Sequence, residues 1–78
     1  MENKNAMSEM INQTKRIEEN NINNMEYVTS ISMLINSNDL ARPKDRELAD
    51  KINNLNRQIE DINKTTDELL NDLISKHN

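Results

Sequence analysis

The chain has 78 residues, of which 33% are apolar, with no cysteine, a single histidine and a formal net charge of −4. So short a chain holds one domain at most, here residues 1–78, and small domains ordinarily need a disulfide, a metal or a partner to supplement the core. Disulfides are excluded, and His77 alone makes no structural metal set.

Charge is spread evenly. Residues 1–42 carry four basic and six acidic groups, and residues 43–78 carry six and eight. Neither half is a basic patch, so binding to nucleic acid or to an anionic membrane is disfavoured. No apolar stretch approaches the roughly 18 residues that span a bilayer. No apolar run follows Met1-Glu2-Asn3-Lys4, so a signal peptide is not expected, and the expected location is the cytoplasm, or the inside of a virion or host cell. Glycine is absent and proline occurs once. That excludes most turn-rich β folds and points to long helices. The fifteen asparagines are mediocre helix formers and make each helix marginal by itself.

In chain order, the first expected element is a helix over about 4–35. Its heptad register places Met7, Thr14, Asn21, Val28 and Ile35 at a, and Met10, Ile17, Asn24 and Ile31 at d, with Ile11, Ile22 and Met25 beside the seam. The middle of this seam is polar. A buried Asn at such a position costs stability but fixes register; the plainer expectation is that the stretch is irregular or exposed. Tyr27, the sole aromatic residue, falls at g.

A break is expected over about 36–43, in Asn36-Ser37-Asn38-Asp39-Leu40-Ala41-Arg42-Pro43. Asn, Ser and Asp favour caps and turns, and proline is accepted only in a first helical turn. The heptad register also changes phase across it. A connection of this length most often joins antiparallel neighbours; a single long bent helix is the alternative.

The second helix, expected over about 42–76, has the clearest pattern. Ile52, Ile59, Thr66 and Leu73 occupy a, while Leu48, Leu55, Ile62 and Leu69 occupy d. Seven of these eight positions are apolar, which makes a narrow seam of the coiled-coil kind. Leu70 and Ile74 widen the stripe near the C-terminus. Thr66 is expected as one polar core layer in preference to a helix restart at Thr65-Thr66-Asp67-Glu68.

Catalytic residues, cofactors and metal ligands are not expected. His77 lies where chains fray, and a general base must be held in place. The carboxylates fall beside Lys and Arg on a solvated helix face, and no glycine-rich loop is present to cradle phosphate. The densest basic stretch, Arg42, Lys44, Arg46, Lys51 and Arg57, is interleaved with Asp45, Glu47 and Asp50 and has no aromatic neighbour for stacking bases.

Two resemblances stand on particular residues. Residues 52–62, Ile52-Asn53-Asn54-Leu55-Asn56-Arg57-Gln58-Ile59-Glu60-Asp61-Ile62, resemble the second half of a Q-SNARE motif, but Leu55 replaces the central glutamine of that family and Pro43 interrupts its continuous helix. The layout of a helix, a turn ending at Pro43 and a helix ending in Leu69-Leu70-Asn71-Asp72-Leu73-Ile74 is similar to type III secretion needle subunits, without their aromatic and small residues. Neither family is assigned.

The expectation is therefore an all-α hairpin or bent helix pair that completes its core by forming a dimer or higher oligomer, or on a larger protein. Its interface is expected at Leu48, Ile52, Leu55, Ile59, Ile62, Leu69, Leu70 and Leu73, with Ile17, Val28 and Ile31 of the first helix. The expected role is a non-enzymatic interaction module: a scaffold, adaptor or filament subunit of the sort viruses and phages use. The alternative is a regulator or inhibitor that folds on a larger partner.

Overall fold

The computed structural model describes residues 2–37 and 46–77. They form two helices, α1 over Glu2–Ser37 and α2 over Arg46–His77, and no strand occurs among the described residues. The helices pack against each other as an antiparallel hairpin measuring 60 × 14 × 14 Å. Of the two expected arrangements, the hairpin forms.

The element bounds shift slightly from those expected. Asn36 and Ser37, expected in the turn, belong to the last turn of α1, where half-buried Ile35 still anchors the helix. The start of the second helix at about 42 and the rest of the turn, including Pro43, lie outside the described residues. The ends of α2 suit a helix dipole, with Glu47 in its first turn and Lys76 and His77 in its last.

The expectation that residues 6–35 are irregular is corrected: α1 is continuous. Asn-rich helices of marginal propensity are held by packing along one face, and the face on α1 recurs at alternating steps of four and three. It comprises Met7, Ile11, Thr14, Glu18, Asn21, Met25, Val28, Ser32 and Ile35, all buried or half-buried. The matching face of α2 is Ala49, Ile52, Asn56, Ile59, Asn63, Thr66, Leu70 and Leu73. Ile11, Val28, Ile59 and Leu73 are each exposed by 9% or less and form the apolar core.

The polar groups in this seam are satisfied. Thr66 is buried in mid-helix, as expected of a polar layer; its hydroxyl donates to the Ile62 carbonyl at 2.7 Å and accepts from Asn21 Nδ2 at 3.0 Å. The Thr14 hydroxyl donates to the Met10 carbonyl at 2.7 Å. This hydroxyl-to-preceding-turn bond lets a threonine sit inside a helix without an orphaned group. Asn63 Nδ2 donates to Met25 Sδ at 2.9 Å, a weak acceptor. Among the described residues no buried side-chain nitrogen or oxygen lacks a partner.

Candidate protein–protein interface

The faces that meet inside the hairpin are the a and e rows of both helices. The d rows are left outside. Met10, Ile17 and Ile31 of α1, and Leu48, Leu55, Ile62 and Leu69 of α2, are all between 44% and 52% exposed. On a helix, d lies about 60° to one side of a, and e about 40° to the other. A seam centred between a and e therefore pushes d onto the flank.

Both d rows lie on the same flank. Met10 and Leu69 line one open apolar groove of about 440 Å³, floored by Thr14 and Leu73 of the seam. The Asn21–Thr66 and Met25–Asn63 bonds fix how the helices align. At a rise of 1.5 Å per residue in each helix, Ile17 stands level with Leu69, Asn24 with Ile62, and Ile31 with Leu55. An apolar stripe thus runs along the hairpin, interrupted at Asn24 in its middle, with Lys76 level with Met10 at one end.

The opposite flank differs in chemistry. Its b rows carry Lys15, Arg46, Glu60 and Asp67, with Ile22 and Ile74 as their large apolar members. Here the Glu18 carboxyl reaches Asp67 across the seam. The hydrogen bond to Asp67, followed by partial burial and the negative charges of Asp67 and Glu19, pushes Glu18 above its ordinary value of 4.5; Lys15 acts in the opposite direction. An open apolar hollow of about 490 Å³ lies against Ile22, Met25, Glu26 and Thr29. The groove along Glu9, Asn12, Gln13, Lys15, Arg16 and Glu19 is polar, and Gln13 donates to Glu9 within it at 2.6 Å.

Of the residues expected at an interface, Ile52, Ile59, Leu70, Leu73 and Val28 are drawn into the intrachain seam, fully or in part. Leu48, Leu55, Ile62, Leu69, Ile17 and Ile31 remain exposed and accessible. The pattern of α2 alone missed the e row, in which Asn56 and Asn63 face the partner helix. Its signal was present in α1, where Ile11 and Met25 stand beside the polar a positions.

Comparison with known proteins gives no match: no family model fits the chain, and no curated protein or solved structure matches it. Among the described residues no helix is long and apolar enough to cross a membrane, and no group of three or more His, Cys, Asp or Glu side chains is placed to hold a metal ion.

Proposed function

We propose that the protein is a non-enzymatic assembly module: a helical hairpin whose d flank packs on the d flank of a second copy to complete a four-helix bundle. The observation that carries this is the division of apolar residues. The seam inside the hairpin faces Thr14, Asn21, Asn63 and Thr66 inward, while seven large apolar residues stand half-exposed in one line outside it. Contiguous apolar surface of this extent marks interaction sites on soluble proteins.

Area and charge favour a second copy as the occupant. The accessible surface is 6354 Å², against about 4,900 Å² for a compact monomer of this mass. The difference exceeds the ~800 Å² that each partner buries in a standard interface. Two chains of net charge −4 repel unless they meet through a neutral surface. The d and g rows of α1 carry no charged residue from Ala6 to Leu34, and those of α2 carry only Lys51, Asp72 and Lys76. A second copy brings a stripe of equal length and the same chemistry.

The role that follows is that of a small scaffold, adaptor or filament subunit. Ile62→Asp and Leu55→Asp place a charge in the middle of the stripe and leave the seam intact. By light scattering after size exclusion, the native chain is expected above monomer mass and both variants at monomer mass, with helical circular dichroism retained. Variants that keep the native mass rule out this flank. A native chain that is an unfolded monomer turns the function toward a regulator that folds on a larger protein.

A further inference from the structure

We propose that Asn24 sets the register of this association, meeting Asn24 of the second copy as a polar layer at the centre of the apolar stripe. The inference rests on self-association through the d flank and adds how that flank is aligned. Between Met10 and Ile31, Asn24 is the one polar residue of the d row of α1, beside Ile17. It is exposed in the hairpin and, unlike Asn21, has no side-chain partner among the described residues.

Its position along the stripe decides the rest. The layers run from Met10 at one end through Ile17 with Leu69, Asn24 with Ile62, and Ile31 with Leu55, to Leu48 at the other. Asn24 therefore lies at the centre. When two stripes overlap in full, a two-fold axis across the bundle, lying between the two hairpins, sets α1 on α1 of the second copy, exchanges the ends and keeps the centre fixed. That symmetry brings Asn24 to Asn24, whereas a two-fold axis along the bundle sets it on Ile62. Each amide offers both a donor and an acceptor, so two of them satisfy one another. A slip of one heptad sets each Asn24 among Ile and Leu instead, leaving both amides buried without partners, which is costly. An aliphatic residue at this position would tolerate such slips, so the asparagine trades affinity for a single alignment.

Asn24→Ile compared with the native chain by sedimentation equilibrium tests this, with Asn23→Ile, at a neighbouring exposed position off the stripe, as the control for added apolar surface. The expected result is that Asn24→Ile tightens the dimer by about tenfold or more in Kd and adds species beyond the dimer, while Asn23→Ile behaves as the native chain. A native dimer whose Asn24→Ile variant associates equally or more weakly overturns the Asn24 layer and leaves the d-flank interface standing. A native chain that remains monomeric overturns both.

Discussion

Asn21 and Thr66 meet at the centre of the hairpin, where two helices of this length would otherwise pack aliphatic side chains. The asparagine amide and the threonine hydroxyl share a bond of 3.0 Å, and the same hydroxyl is returned to its own helix through Ile62. A net contribution of about 1 kcal/mol is ordinary for such a bond. A double-mutant cycle of Asn21→Ala and Thr66→Ala in urea unfolding is expected to give a coupling energy of about that size; independent effects of the two substitutions would contradict the bond. Glu18 poses a different residue-scale question. Its folded-state pKa lies above the ordinary 4.5 because protonated Glu18 is bonded to Asp67. The folded chain thus binds the proton more tightly than the unfolded chain, so the contribution of Glu18 is fully present below pH 4.5 and is lost as pH rises through the elevated value. Glu18→Gln removes the titration and keeps a hydrogen-bonding side chain. Its stability, followed by urea unfolding across pH, is expected to lose that acid-side advantage and to exceed the native value at neutral pH. An unchanged pH dependence would place the proton elsewhere.

At the scale of the helix, two isoleucines three positions apart have different duties. Ile59 lies in the seam and is exposed by 9%, whereas Ile62 lies on the flank and is exposed by 51%. Ile59→Asp buries an unpaired charge, and a domain of this size rarely has more than about 3–5 kcal/mol of stability to lose. That variant is expected to lose its helical circular dichroism, whereas Ile62→Asp keeps helicity and loses association. If both variants stayed helical, the burial assigned to Ile59 would be contradicted. The two helices, and the alternating four-and-three spacing that organises them, were legible in the sequence from Leu48 to Leu73. Which neighbouring row joined a to form the seam was not. In α2 the d row is aliphatic throughout and the e row holds Asn56 and Asn63, so α2 by itself favours a and d. The choice of a and e depends on the facing helix, where Ile11 and Met25 occupy e and Asn21 finds Thr66 at a. Pairing across 45 residues of sequence is a property of both helices together, and one helix's periodicity does not contain it. The polar stretch of α1 misled for the same reason: Thr14 and Asn21 read as exposed until their bonding partners are in place.

The whole molecule is a rod with a radius of gyration of 17.6 Å, where a compact chain of this length would have about 11.5 Å. Its narrow intrachain seam leaves each helix with apolar surface on one flank and charge spread over the rest. In the proposed assembly, a second hairpin on that flank would cover the stripe and widen the core from two helices to four, the arrangement in which such helices ordinarily bury their apolar rows. Such association would stabilise the fold by mass action, so helicity and melting temperature are expected to rise together with protein concentration. The most direct measurement is sedimentation equilibrium of the native chain over a wide concentration range, with far-ultraviolet circular dichroism on the same samples. The predicted result is a helical species whose mass rises from 9.1 kDa to twice that value or a higher multiple. A chain still at 9.1 kDa and fully helical at about 1 mM, where even an association of ~4 kcal/mol is well populated, would contradict self-association.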